Sequence, residues 1–369
     1  MCGGVHVSMD VKNICSEKQS TANPMSVTSC GTGETNGTLT LATDCSGLES
    51  PALILKEMGI PFRSLWVSET CEHALKFIRN NCEPERIDRD ITKRDVKSLP
   101  KNPDIYCSGP PCSLFSSMNV KEKKADDPRR EMFDYVLETI EVVKPKVFIL
   151  ENVRSVYTCE KGNVWEEIST QLDDFCDYFW DHMVLDPCKH GDCPQSRPRV
   201  YIVGLRKDLG VRHVPWPEEK PLTRTCVSLL DTHILEGRKV APCYWRQLKV
   251  WGISEDTMAV IEPNGASRSF SPYAGKAGKV KEITDGQRAS IARTEIASCM
   301  VSHDPGPFVP ALKRHCTVAE MFRLQGYDDS KIRVPPGLTT CQMSAKIGNQ
   351  MNGAILRELL SRLVPLVQK

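Results

Sequence analysis

The chain has 369 residues and a formal net charge of +1, with 40% hydrophobic and 26% charged side chains. That is an ordinary globular balance, and it gives bulk electrostatics no argument for nucleic acid, so any anionic partner must meet a local patch. No apolar run approaches the roughly 20 residues of a membrane span and no signal-peptide core is present, which predicts a soluble, intracellular protein, nuclear in a eukaryote and cytoplasmic otherwise.

Residues 1–37 are rich in Ser, Thr, Gly and Asn without periodicity and are predicted to be a disordered tail. From Leu39 the pattern alternates between strands and helices. Strands are expected at Leu39–Ala42, Phe62–Val67, Asp104–Cys107 and Lys146–Leu150, with helices at Pro51–Met58, Cys71–Asn80 and Glu131–Val143. Val164, Ile168, Leu172, Phe175 and Phe179 recur every three or four residues, as on one helical face. Further strands are expected near His182–Asp186 and Val200–Leu205. This rhythm predicts an α/β fold with a parallel, doubly wound Rossmann-like sheet, and ligands at the carboxyl ends of its strands. After Asp208 the rhythm stops. Residues 211–314 read as a smaller, irregular domain, and helical pattern returns at Thr317–Leu324 and Met351–Val364.

Three clusters carry the chemistry. Gly109-Pro110-Pro111-Cys112 closes a buried strand, and its prolines stiffen the backbone that presents the thiol. A buried structural cysteine is the plainer alternative. Glu151-Asn152-Val153 follows the next strand, so the parallel sheet sets a carboxylate beside Cys112. Glu151 also suits an ordinary helix start. Gln195-Ser196-Arg197-Pro198-Arg199 precedes another strand and puts two arginines on one side of an extended chain, fit to grip a phosphate or a carboxylate. A solvated basic loop would look the same. The 17 cysteines are odd in number and read as free thiols. Cys188, His190 and Cys193 offer three soft donors in a short loop, but no fourth is evident and no metal is expected.

In order and placement these clusters resemble the cytosine-C5 DNA methyltransferase family. Thr43-Asp44-Cys45-Ser46-Gly47-Leu48-Glu49 is similar to the family's first motif, the turn around the methionine end of S-adenosylmethionine. Glu69, with Thr70 after it, matches the ribose-binding carboxylate, and Asp90-Ile91 the pair that meets adenine. Asp127-Pro128-Arg129 and Met132-Phe133 fit the next helix start. Thr317–Tyr327 resembles the ninth motif, and Ile347-Gly348-Asn349 the last, whose helix packs beside the cofactor. The resemblance implies a catalytic domain over 38–210, a target-recognition domain over 211–314, and a return to the catalytic domain over 315–369.

It also implies the site. Catalysis would fall to Cys112, Glu151, Arg197 and Arg199. S-adenosylmethionine would be held by Cys45, Ser46, Gly47, Leu48, Glu49, Glu69, Thr70, Asp90, Ile91, Gly109, Pro111, Met132, Asn349, Gln350 and Met351. The Cys112 thiolate would add to C6 of a flipped-out cytosine, Glu151 would meet N3 and the exocyclic amine, and the arginines would contact the base oxygen. A loop over Val120–Arg130 would close on the DNA, and Arg268, Lys276, Lys279 and Lys281 would contact the duplex. Two departures stand out. Glu49-Ser50 occupies the place where the family usually has a second glycine, which could crowd the turn, and Ser113 replaces the usual Gln.

Alternatives remain at this point. An RNA-modifying branch shares the fold, although its Cys-Phe-Thr segment is absent here. A non-catalytic module that binds cofactor and nucleic acid would suit the altered turn. A nicotinamide dehydrogenase would explain Glu69, yet the chain has no Gly-x-Gly-x-x-Gly turn and this reading leaves Cys112 without a task.

Overall fold

Apolar runs flanked by Gly, Pro and acidic turns become strands, and amphipathic stretches become the helices that cover them. The computed structural model describes residues 38–111, 131–235, 237–261, 295–300 and 306–368. In chain order these form β1 (Leu39–Asp44), α1 (Ser50–Glu57), β2 (Phe62–Ser68), α2 (Glu72–Asn81), β3 (Ile87–Asp88), β4 (Ile105–Ser108) and α3 (Glu131–Val143). There follow β5 (Val147–Val153), α4 (Asn163–Asp173), β6 (Tyr178–Leu185), α5 (Pro187–His190), β7 (Arg199–Arg206) and α6 (Pro242–Trp251). Last come β8 (Phe308–Val309), β9 (Arg314–His315), α7 (Val318–Leu324), α8 (Thr340–Asn349) and α9 (Gly353–Val367). The disordered-tail expectation concerns residues outside the described ones.

The main sheet has the order β3-β2-β1-β4-β5-β7-β6. β1 to β5 run parallel, and the strand order reverses between β1 and β4, whose ends pair Asp44 with Ser108. A crevice opens at such a reversal, outside the strands' carboxyl ends. The strands alternate between the two faces. Ile105, Cys107, Val147 and Ile149 enter the core under α1, α2 and α9, while Tyr106, Phe148 and Leu150 enter the one under α3 and α4. The doubly wound α/β expectation therefore holds, with one correction: β7 is antiparallel to both β5 and β6. The α4 crossover carries β6 past an empty lane, and the link over 186–198, whose only helix is the four-residue α5, returns the chain antiparallel into that lane. Gly204 makes the insertion possible, since a Cβ there would lie 2.0 Å from the Phe148 ring on β5.

Other differences have local causes. The five-residue helical face breaks after Leu172, because α4 stops at Asp173, where two successive aspartates oppose the helix dipole. Phe175 falls in the turn and Phe179 on β6. The last helix starts at Gly353 rather than Met351, capped by Asn352, whose Oδ1 accepts from Ala354 N–H and Ile355 N–H. α8 was not anticipated, although Thr339 and Gln342 form a capping box at its start. Within the segment read as irregular, α6 begins at Pro242 and ends at Gly252 in the left-handed region. That segment has a small apolar cluster of its own around Tyr244, Leu248 and Phe308. It also shares the main core through Val214, Cys226, Val260, Ala297 and Met300. Among the described residues, no helix is long and apolar enough to cross a membrane.

Candidate active site

The turn after β1 is tightly wound. Cys45, Gly47 and Glu49 all have positive φ, at 51°, 56° and 60°. Ser46 ties it to β2, donating its N–H to Ser68 O at 3.0 Å and accepting Ser68 N–H on Oγ at 3.1 Å. Gly47 N–H donates to Glu69 Oε2 at 2.9 Å, and Cys71 N–H to Glu69 Oε1 at 2.8 Å. The predicted ribose carboxylate thus lies directly across from the turn. Asp90 caps the short turn that carries Ile91, accepting Thr92 N–H and hydroxyl at 3.0 and 2.7 Å. These bonds, the hydroxyl's above all, hold its carboxyl below the usual range.

One pocket at the crevice is lined by Cys45, Ser46, Gly47, Gly109, Glu151, Asn349, Gln350 and Met351, together with Thr43 and Ser108. The structure therefore brings together the first-motif turn, the end of β4, the end of β5 and the segment after α8. Other predicted residues are not part of that lining. Leu48 is fully buried in the core, and Glu49 is fully buried beneath the turn. Thr70 and Pro111 are exposed. Met132 packs beside the α3 core. Cys112, Ser113, the Val120–Arg130 loop and Arg268, Lys276, Lys279 and Lys281 lie outside the described residues.

Glu151 is a carboxyl that lines this crevice. Gly109 runs alongside it, and a Cβ at Gly109 would stand 3.7 Å from Glu151 Oε2 and 3.4 Å from the Met351 methyl. Asn152 Nδ2 reaches Pro110 O at 3.4 Å, fastening the two strand ends two residues short of Cys112. Arg199 Nε lies 3.3 Å from Glu151 Oε1. Burial pushes the Glu151 carboxyl up, and Arg199 and then Arg197 oppose it without cancelling it. A carboxyl so placed can carry a proton to a base. Burial, then Asp44 and Glu69, push the Cys45 thiol well up, so this pocket thiol is a poor nucleophile.

The two arginines part company in their surroundings. Arg197 precedes β7, so strand alternation does not govern it, and it is 3% exposed. Its Nη1 donates to Met300 O at 2.8 Å, and its Nη2 to Gly348 O and Gln350 O at 2.9 and 3.1 Å. It anchors two distant segments around the pocket, while Arg199 attends Glu151. Cys299 lies between them, its Sγ 3.2 Å from Arg197 Nη1 and 3.5 Å from Arg199 Nη2. Burial raises this thiol, but the two guanidinium groups outweigh burial and the net shift is down.

Sequence reading missed Cys299 and also Arg94. Arg94 is buried and grips Asp44 with both Nη atoms at 2.5 Å, while also reaching Ser68 Oγ and Thr139 Oγ1. Tyr106 and Trp66 complete Asp44's shell at 2.7 and 3.2 Å. The segment that follows Asp90 and Ile91 is thereby bolted to the end of β1. In the Cys188–Cys193 loop, His190 Nδ1 accepts Asp186 N–H and Cys193 Sγ donates to Leu324 O.

The pocket also holds unspent hydrogen-bonding capacity. Ser108 Oγ, Glu151 Oε1 and both amide atoms of Gln350 are buried there without a hydrogen-bond partner. Buried polar atoms are rarely left so, and their clustering in one crevice indicates a place for a polar ligand.

A model of the C-5 cytosine-specific DNA methylase family matches residues 44–364. The chain is 36% identical over 308 residues to the type II methyltransferase M1.ScrFI of Lactococcus lactis subsp. cremoris, spanning 83% of this chain and 73% of that protein. It is 27% identical over 272 residues to the type II methyltransferase M.HhaI of Haemophilus parahaemolyticus, spanning 72% of this chain and 77% of that one. Solved structures share the fold. S. pombe Dnmt2 methyltransferase superposes with a TM-score of 0.57 at 19% identity, over 89% of this chain and 98% of that chain. Entamoeba histolytica methyltransferase EhMeth gives 0.59 at 17%, over 89% and 98%.

Proposed function

The chain belongs to the C-5 cytosine-specific DNA methylase family and is an enzyme that methylates C5 of cytosine in DNA; we propose that Cys112 is its nucleophile, Glu151 its acid, and the pocket between β1 and β4 its S-adenosylmethionine site. The observation that carries the reading is Glu151, a buried carboxyl with a raised pKa set between the Gly109 backbone and Arg199.

The pocket's donor set suits this cofactor. Gly47 presents backbone without a side chain, and a Cβ there would project into open space. Ser108 and Gln350 offer unpartnered buried groups to an amino acid moiety. Glu69 faces the turn for a ribose, and Asp90 and Ile91 lie beyond it for the adenine. Gly109, Pro111, Met132, Asn349 and Met351 complete the binding set, with Cys45, Ser46 and Leu48 holding the turn, Glu49 beneath it, and Thr70 after Glu69. When bound, S-adenosylmethionine supplies an electrophilic methyl group.

Cytosine C5 is a weak carbon nucleophile, and the target atom is out of reach inside a duplex, so the base must leave the stack. The Cys112 thiolate then adds to C6 and makes C5 electron-rich. Glu151 meets the charge that develops at N3 with its proton. Arg199 orients that carboxyl and faces the base oxygen. After methylation, a base or water takes the C5 proton, the C5=C6 double bond re-forms, and the C6–sulfur bond breaks to release Cys112 as thiolate. Residues 211–314 would read the duplex, and the enzyme would act inside the cell, where its substrate is.

Methyl transfer from labelled S-adenosylmethionine to unmethylated DNA, and separately to total tRNA, tests this with wild type and Cys112→Ala. Incorporation into DNA that disappears in the variant is expected. Incorporation into tRNA alone would keep the mechanism and overturn the substrate, and a Cys112→Ala variant as active as wild type would overturn the nucleophile.

A further inference from the structure

Glu49 stands in a left-handed conformation, φ 60° and ψ 50°, which glycine adopts freely and a side chain resists. Its side chain is nevertheless wholly buried, which is rare for a glutamate without a cationic partner. Below the turn, Glu49 Oε2 accepts the Thr43 hydroxyl at 2.6 Å, and that hydroxyl lies 2.6 Å from Ser46 Oγ. Ser46 is in turn bonded to Ser68 at the end of β2. A chain of hydrogen bonds thus runs from Glu49 through Thr43 and Ser46 to the neighbouring strand, and both hydroxyl residues line the pocket.

We propose that Glu49 is a positioning residue for the cofactor turn, whose buried carboxyl braces Thr43 and Ser46 and so fixes Ser46 and Gly47 against β2. The brace does by hydrogen bonding what a glycine would do by compliance. The inference rests on reading this pocket as the S-adenosylmethionine site.

The titratable groups that face Glu49 are Asp44 on β1, Cys82 just after α2 and Cys107 on β4. None of them can compensate a negative charge. Burial pushes the carboxyl up to about 8, against the bonds from Thr43 and Ser46 and with some help from Asp44. The carboxyl is therefore neutral at pH 7, and ionisation at higher pH puts an uncompensated charge under the turn. Because the folded-state pKa lies above the unfolded value, this residue costs stability increasingly as pH climbs from the ordinary carboxylate range to about 8, and the cost stays constant above that.

The test is calorimetric binding of S-adenosylhomocysteine to wild type, Glu49→Gln and Glu49→Gly from about pH 6.5 to 9.5, with ligand-free melting curves over the same range. Near pH 7 the Gln variant should bind within about twofold of wild type, while the Gly variant, although relieved of backbone strain, should bind about tenfold more weakly. Wild type should lose melting temperature relative to Gln as pH rises to about 8, with a constant gap above that, and should lose affinity relative to Gln above about pH 8. A Gly variant that binds as tightly as wild type, or wild-type and Gln profiles that stay parallel, would overturn the proposal. Should the Gly variant fail to fold, the comparison of wild type with Gln still decides. Wild type that binds no S-adenosylhomocysteine at any pH, yet shows the expected melting difference from Gln, would sink the cofactor reading and leave the brace beneath the turn standing.

Discussion

Two carboxylates stand on either side of β4 at the carboxyl edge of the same sheet, each facing an arginine, and they are treated in opposite ways. At the end of β1, Asp44 has both oxygens filled by Arg94, Tyr106 and Trp66 at 2.5 to 3.2 Å. Near the end of β5, Glu151 Oε1 lies 3.3 Å from Arg199 Nε and has no hydrogen bond. Asp44 is fully buried and Glu151 keeps slight exposure, but the larger difference is in how their oxygens are satisfied. The filled carboxylate joins the segment after Ile91 to the sheet and has nothing left to give. The underfilled one keeps hydrogen-bonding capacity, which the proposed mechanism uses for an incoming base, and is pushed toward its protonated form.

The comparison can be broken at either end. Arg94→Ala should be the most costly change, about 3 to 5 kcal/mol, because it leaves Asp44 buried and unpaired. Denaturant unfolding measures it, and a loss below about 1 kcal/mol would show that water fills the gap. Glu151→Gln should reverse the pattern, lowering methyl transfer by about 10²- to 10⁴-fold with little loss of stability. An unfolding midpoint that fell as far as Arg94→Ala's would erase the distinction between the two carboxylates. The same variant carries a pH signature. Since the folded-state pKa of Glu151 is raised, wild type should lose stability relative to Gln as pH rises from the ordinary carboxylate range toward that raised value. Equal stability of the two proteins across that window would mean that Glu151 is ionised throughout. The smallest effect should come from Thr139→Val, which removes one bond to Arg94 and should cost about 1 kcal/mol with activity intact.

How much of this was legible in the sequence follows from the range of the interactions. β1, β2, β4, β5 and α3 were readable because strand runs and helix faces are local patterns, and α3 has the expected bounds, Glu131–Val143, whereas the two-residue β3 is too short to leave a pattern. The lane taken by β7 was not readable, since strand–helix alternation reports layers but not direction. Phe175 and Phe179 kept a helical spacing by coincidence after the helix had ended at paired aspartates. Glu151 and Arg199 were found through their motifs, and their contact follows from the register that pairs Val153 with Arg199. Arg94 lies 50 residues from Asp44 in the chain, and nothing local marks it as a partner. Arg197 shares its motif with Arg199, but only the folded chain shows that its guanidinium ends on backbone carbonyls. Glu49 was noticed as a misfit in the turn; its hidden bond to Thr43 required the fold.

The late arrival of β7 between β5 and β6 has a consequence for how this protein fails. If β6 docks before that strand is seated, two rows of open backbone donors and acceptors would face one another across a gap one strand wide, each a template for a strand from another molecule. Gly204 is the keyhole through which it seats, against the face of Phe148. Any change that slows this step, a bulkier residue at Gly204 first of all, should show itself as aggregation during refolding before it shows in the methylation rate.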